Sequence, residues 1–352
     1  MIKTEILVIG GGASGLAAAI AAAKTGAEIT VIERDYSCGG RLLRQTEKIG
    51  DLPYPFIGLR GYQIAQHMLN EAKSFSNIKI FTNTLAQSIY QKNVVCKNNN
   101  SALVINAQHI IFATGSQEGW ALFPGNDLPG IYSAAAAQSL LNIYGIKPAG
   151  KVAIIGSDNM ALQLAFQFYQ CGIEVAAVIE KSSQIIGESI YAAKIARLGI
   201  PILTSHNVLC ANGTKNVDSL TIKNINEDKI TTIACDGVCL STQSSPSTHL
   251  LEQAGCQMRS GNTNMEYIPC CNEQTGETNI SGIYATGSCC NTGSISEDII
   301  KGAITGINVA FLSGHSSDHY SKYLDKLYAV QRFLNGESHE FVDSLMEGAN
   351  IR

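Results

Sequence analysis

Three glycines and one acid carry the first legible chemistry in this chain: Gly10-x-Gly12-x-x-Gly15, followed downstream by Glu33. Glycine at the first position allows a tight turn off a strand. At the second, the missing Cβ lets a diphosphate approach the backbone. At the third, a helix can pack close to the strand. The start of that helix offers unpaired N–H groups and a positive dipole end to the phosphates. An acid closing the next strand accepts hydrogen bonds from a ribose. In this order, the residues form a dinucleotide-binding fingerprint. Ala13 and Ser14 inside the turn and Arg34 after the acid belong to the same candidate set.

The elements that must position these residues are written around them. An apolar run, Ile6 to Ile9, predicts a strand, and the alanine-rich stretch after Gly15 predicts a helix. Gly26 and a second apolar strand, Ile29 to Ile32, lead to Glu33. The same plan starts again at Lys151. It runs through strand VAIIG, a helix from about Met160 to Cys171, Gly172, and strand EVAAVIE ending at Glu180. In this copy Asp158 stands where the close-approach glycine belongs, so bulk and charge repulsion both oppose a diphosphate there.

Two further apolar strands end in small residues: HIIFATG, closing on Ala113-Thr114-Gly115, and GIYATGS, closing on Gly287-Ser288. A helix from about Ser296 to Leu312 follows, with Ser294 and Glu297 at capping-box spacing. A last helix, from about His319 to Phe333, interleaves aromatic and aliphatic residues that suit a core or a partner chain. The short Asn98–Asn100 run reads as a turn.

The chain has 352 residues, which favours two domains. Its 45% apolar and 15% charged content and net charge of −4 describe a soluble protein, with no reason to expect nucleic acid or an acidic membrane surface as partner. The N-terminal apolar stretch mimics a signal peptide, but Glu5 and three consecutive glycines break it. No segment is long and apolar enough to span a bilayer. With 11 scattered cysteines, an odd number, reduced thiols fit better than a disulfide framework, and the expected location is cytoplasmic.

GGGASG, ATG and GIYATG in this order resemble the two-dinucleotide-binding-domain flavoproteins of the pyridine-nucleotide-disulfide-oxidoreductase superfamily, over nearly the whole chain. The implied fold is α/β: two Rossmann-like three-layer dinucleotide-binding domains, the second inserted in the first, plus a C-terminal helical tail. The expected boundaries are 1–115 with 246–315, 116–245 for the insert, and 316–352 for the tail. The implied cofactor is FAD, carried onto Gly10, Gly12, Gly15, Glu33, Gly115 and the strand ending at Gly287. In such proteins the loop after the second strand wraps the FAD. That brings in Gly40, Arg41, Arg44 and Gln45, with an arginine on the pyrophosphate or the flavin. The helix N-terminus near Ser296 would face the flavin pyrimidine edge and favour negative charge there by ~0.3–2 kcal/mol.

CGGRLLRQ (Cys38 to Gln45), the segment Phe112 to Leu141 and GSDNMALQLAFQF are similar to one branch, the α subunits of heteromeric amine and imino-acid dehydrogenases. These include D-hydroxyproline dehydrogenase, opine oxidase, hydrogen cyanide synthase, dye-linked proline dehydrogenase and sarcosine oxidase. The implied function is an FAD-dependent α-like subunit that takes electrons from a β-type flavoprotein oxidising a small secondary amine. Two other readings stay open. One is a self-contained NADH-dependent flavin reductase using Glu180 on the NAD ribose. The other is a non-catalytic scaffold binding FAD or ATP without turnover.

Three departures stand out. The aspartate that usually follows the last strand's glycine, and binds the FAD ribityl or phosphate region, is Ser288. Asp158 opposes NAD in the second domain. The cysteine-rich iron–sulfur domain of many members does not appear before Arg352, which argues against a cluster within this chain.

Disulfide reduction needs two cysteines at CxxC or CxxxxC spacing beside the flavin. Cys38 has no such partner, so a dithiol reductase is rejected. The vicinal pairs Cys270-Cys271 and Cys289-Cys290 lack the separation of zinc or iron–sulfur runs and read as small turn residues. No metal ligand set emerges. The histidines stand alone in sequence, and no catalytic base is named.

Overall fold

The computed structural model describes residues 1–98, 101–242, 244–261 and 267–337; of the expected helical tail, residues 338–352 lie outside this description, as do Asn99 and Asn100. The chain divides into two compact units, Met1–Gln117 with Ser245–Arg352, and Glu118–Ser244. Each is a mixed α/β body built on a Rossmann-like parallel sheet.

In the first unit the parallel strands lie in the order Ile78–Phe81, Ile29–Ile32, Ile2–Ile9, Ser101–Phe112, Ile283–Ala285. On the edge away from Ile2–Ile9, the Ser101–Phe112 strand serves two neighbours. Its first half pairs antiparallel with Asn93–Asn98, which continues to Thr84–Tyr90, while Ile110 to Phe112 pair in parallel with Ile283 to Ala285. This junction brings Ala113-Thr114-Gly115 and Gly287-Ser288 to the same sheet edge as the Gly10 turn.

The helix Ala13–Lys24 is buried along almost its whole length, from Ala13 to Ala23. Alanine suits it because a second helix, Ile295–Leu312, lies against it backbone to backbone. A Cβ on Gly302 would fall 2.2 Å from the Ser14 carbonyl oxygen, and one on Gly306 would fall 2.2 Å from that of Ala18. Contacts of 302 with 14 and of 306 with 18 require the two helices to run in the same direction. Residues 295–300 therefore project past the start of the first helix. The helix Asp318–Leu334 closes this core with Leu324, Leu327 and Val330, beside Leu16, Ile20, Ile304 and Ile307.

The second unit repeats the plan. Its parallel strands are ordered Ile202–Leu203, Glu174–Ile179, Lys151–Ile155, Gly237–Leu240, Ile131–Ser133. The helix Asn159–Gln170 follows its glycine turn, and an antiparallel sheet of His206–Asn212, Ser219–Asn224 and Ile230–Ala234 completes it. Its core forms around the fully buried Phe168, Val152, Ile154 and Leu164.

Candidate functional site

The first glycine turn has the geometry its residue types demand. Gly10 adopts φ +105°, and a Cβ there would lie 2.3 Å from the Ala113 carbonyl oxygen. A Cβ on Gly15 would sit 1.8 Å from the Gly10 carbonyl oxygen. Gly12 is different: a Cβ would meet nothing within 4 Å, so open space lies above it. Gly12 is also the N-cap of helix Ala13–Lys24, and no side chain caps the first-turn amides. Amides with no internal acceptor and an open approach over a glycine make an anion-binding cradle. Gly115, with φ +72°, is likewise open.

The second-strand loop folds back onto this turn. Gly39 N–H donates to the Gly11 carbonyl at 2.8 Å, and a Cβ on Gly40 would approach the Gly12 Cα to 3.1 Å. Glu33 is buried and accepts from the Gly11 N–H at 2.7 Å and the Asp35 N–H at 2.9 Å. Burial pushes its carboxyl above the usual value, and the two backbone donors oppose that rise. Each carboxylate oxygen has two acceptor directions, so these bonds leave capacity for a ribose hydroxyl. Cys38 is buried under the loop and its thiol is pushed up to about 12, chiefly by burial, which makes it a poor nucleophile.

Asp298 is the residue that sequence reading missed. Its carboxylate is 6% exposed and accepts from the Arg41 guanidinium at 3.1 Å and from the Ser288 hydroxyl at 2.7 Å. The same Arg41 nitrogen donates to the Gly293 carbonyl at 3.0 Å. Burial raises the Asp298 carboxyl, with Arg41 and Ser288 acting the other way. A Cβ on Gly287, at φ +72°, would sit 2.3 Å from the Ser14 hydroxyl and 3.3 Å from Asp298 Oδ1. Ser14, Arg41, Gly287, Ser288 and Asp298 thus converge beside the first helix's N-terminus. The available sequence signal was the Gly302-x-x-x-Gly306 spacing, which sets the helix register that delivers Asp298.

Thr114 donates its hydroxyl to the Ser247 carbonyl at 2.7 Å. Ser296 is buried and donates to Asp51 Oδ1 at 2.5 Å. Arg34 is exposed, 3.8 Å from Asp35. Arg44 and Gln45 are half-buried, Arg44 closing the short 3-10 helix Gly40–Arg44 and Gln45 following it. The Thr286 hydroxyl is buried with no partner among the described residues. Only half of the expected capping box forms: Ser294 accepts from the Glu297 N–H at 3.1 Å, while the Glu297 carboxylate pairs with Lys301 at 3.3 Å. The histidines are not all solitary, since His315 meets Glu5 at 2.8 Å across most of the chain. Linear spacing cannot report such a pair.

The second turn has the same hydrogen-bond plan with one substitution. Glu180 accepts from the Ser157 hydroxyl at 2.7 Å and the Ser182 N–H at 2.7 Å, as Glu33 does from Gly11 and Asp35. Gly187 N–H donates to the Ser157 carbonyl at 2.8 Å, as Gly39 does to Gly11. At the third position, however, Asp158 Oδ1 accepts from the Ala161 N–H at 2.9 Å and from the Ser241 hydroxyl at 2.6 Å. The helix Asn159–Gln170 therefore carries its own anion at its N-terminus. Asn159 and Glu188 add a reciprocal pair of bonds, both 2.8 Å, across the same turn.

The thiols of Cys271, Cys289 and Cys290 lie together. The Cys290 contact lowers the other two, and its own thiol is raised by them and by burial. Among the described residues no group of three His, Cys, Asp or Glu side chains is arranged to hold a metal ion, and no helix is long and apolar enough to cross a membrane.

Comparison with known proteins agrees with this geometry. The chain is 28% identical over 262 residues to the alpha subunit of sarcosine oxidase from Rhizobium meliloti (strain 1021), covering 70% of this chain and 25% of that one. It is 24% identical over 370 residues to an opine oxidase subunit of Agrobacterium tumefaciens (strain Ach5), covering 97% of this chain and 72% of that one. The chain thus spans about a quarter of the first relative. Among solved structures, T. acidophilum thioredoxin reductase superposes with a TM-score of 0.75 at 19% identity, covering 89% of this chain and 99% of that one. L-proline dehydrogenase from P. horikoshii gives 0.73 at 20%, covering 92% and 59%. These two likenesses show the fold.

The open glycine cradle, its uncapped helix and Glu33 fit FAD. Residues 4–314 match the pyridine nucleotide-disulphide oxidoreductase family, so the chain belongs to that family and is an FAD-binding oxidoreductase.

Proposed function

We propose that this chain is the α-type subunit of a heteromeric dehydrogenase for secondary amines or imino acids, receiving electrons from a partner flavoprotein. What supports this is the pairing of an open first turn with a second turn filled by Asp158. A flavin site without a second nucleotide as reductant draws its electrons from a substrate or from another protein, and the second source suits an α-type subunit. The likeness, along 97% of the chain, to a subunit of opine oxidase points the same way.

In this reading the amides of Ala13 to Gly15 and the helix dipole hold the diphosphate, and the missing Cβ of Gly12 admits it. Glu33, fixed by the Gly11 and Asp35 amides, presents its remaining acceptor capacity to the adenosine ribose. The N-terminus of helix Ile295–Leu312, with Ser296 tied to Asp51, would offer a positive dipole end to the flavin. Bound FAD supplies the electron-accepting chemistry, and the protein holds and tunes it. The substrate amine would be oxidised on the partner.

The deciding experiment is co-expression with a candidate flavoprotein partner. The expected result is a yellow complex that oxidises a secondary amine, with neither chain active alone. Rapid bleaching of this chain's flavin by NADH alone would instead establish a self-contained reductase.

A further inference from the structure

In flavoproteins resembling this chain a carboxylate follows the glycine of the last strand, and here that position is Ser288. The structure does not leave the place without a carboxylate. Asp298 reaches it from the neighbouring helix: Ser288 Oγ donates to Asp298 Oδ2 at 2.7 Å, and Asp298 Oδ1 would lie 3.3 Å from a Cβ on Gly287.

The helix register explains how. Gly302 lies level with Ser14 and Gly306 with Ala18 in two helices running the same way. Asp298 precedes Gly302 by one turn, so it stands ~4.5 Å beyond the first residue of the first helix, on the side where that helix offers its free amides. Its burial matters too. A carboxylate that is 6% exposed, with only two side-chain partners, is costly to keep unless it is paired. Arg41 supplies the compensating charge. It follows Gly40, whose Cβ would nearly touch Gly12, so the guanidinium's own backbone borders the open cradle. Both Arg41 bonds leave from Nη2, one to Asp298 and one to the Gly293 carbonyl. Its Nη1 and Nε donors are not used by this pair.

We propose that Asp298 is the flavin-holding carboxylate of this protein, moved from the strand end to the helix. With Ser288 and Arg41 it forms a charge-balanced set that binds the ribityl–diphosphate stretch of FAD. The inference rests on FAD occupying the first unit. Asp298 acts as acceptor, Arg41 as donor, and Ser288 fixes the orientation of the carboxylate.

The test is a carboxylate transfer. FAD is titrated, by quenching of its fluorescence, into wild-type protein stripped of flavin and into Asp298→Ser, Asp298→Asn and the exchange variant Ser288→Asp/Asp298→Ser. Loss of a hydrogen bond to a charged group predicts FAD affinity weaker by about tenfold or more in both single variants. The exchange variant should return to within about threefold of wild type, because the carboxylate shifts by only about one hydrogen-bond length. An Asp298 that merely pairs with Arg41 in the fold would be rescued by the exchange too, so thermal unfolding of the flavin-free proteins is read beside the titration. Asp298→Asn that is fully folded at the titration temperature should still bind FAD weakly, and affinity lost only where the flavin-free variant unfolds would overturn the proposal. Single variants that bind FAD like wild type, or an exchange variant no better than Asp298→Ser, would overturn the proposal. Wild-type protein that takes up no FAD would instead overturn the assignment of the first unit, and this proposal with it.

Discussion

The two glycine turns of this molecule share a hydrogen-bond plan, and the difference that bears on a diphosphate lies at one position. Glu33 and Glu180 each tie two points of their own loop, and Gly39 and Gly187 each donate to the residue after the first glycine. At the third position the first turn has Gly12 and open space, while the second has the Asp158 carboxylate on the Ala161 amide. A helix N-terminus binds whichever anion reaches it first. When the anion is covalently attached as an N-cap, it needs no ligand and leaves none of its room. One residue can therefore set a carboxylate against the approach of a diphosphate while the fold is kept.

The largest expected effect comes from copying the second turn into the first. Gly12→Asp should weaken FAD binding by a factor on the order of a hundred or more, through lost approach and charge repulsion. Fluorescence titration reads this directly, and a variant that purifies fully yellow would break the comparison. The reciprocal change, Asp158→Gly, should tighten NADH binding by about tenfold and cost about 1 kcal/mol of stability through the lost cap and the lost Ser241 bond. If NADH affinity does not move, the block lies in the Asn159–Glu188 bridge instead.

A smaller contrast separates the two acids. Glu33→Gln should lower FAD affinity by roughly fivefold, since the amide keeps one acceptor and loses the charge. Glu180→Gln should leave FAD affinity unchanged and alter only thermal stability; an equal effect of both would erase the distinction between the turns. The smallest effect is in pH. Burial raises the Glu33 carboxyl above its ordinary value of 4.5, so in the window just above 4.5 the folded chain binds this proton more tightly than the unfolded one. Its contribution to stability is therefore greatest at the acid end and declines as pH rises through that window, by a fraction of a kcal/mol per unit. Thermal unfolding of the FAD-free protein from about pH 4.5 to about pH 6 should lose this slope in Glu33→Gln. An unchanged slope would show that Glu33 is not its source.

Some of the site was legible in the sequence. Gly10, Gly12, Gly15 and Glu33 are local: a strand, a turn, a helix and a strand written in one continuous stretch, where residue type alone dictates backbone conformation. Asp158 was legible for the same reason, as a side chain where none fits. What spacing did not reveal was the destination of side chains from distant segments. Arg41 stands alone in its loop by spacing, and its guanidinium pairs with Asp298 from a distant helix. Ser296 was expected at the flavin, and its hydroxyl is bonded to Asp51. His315 finds Glu5 through packing between segments far apart in the chain.

The sequence by itself determined that this chain builds two dinucleotide-type units, and that the first keeps its cradle while the second carries a carboxylate in its turn. Those outcomes depend on short-range sterics and on charges a few residues apart. Only the tertiary structure decided that Asp298 stands beside Ser288 and Arg41. That placement depends on two glycines, Gly302 and Gly306, letting one helix slide against another at a fixed register. Helix register is set by packing between segments far apart in the chain; the Gly302-x-x-x-Gly306 spacing marks a face for close approach, and only the partner helix decides which polar group that contact delivers.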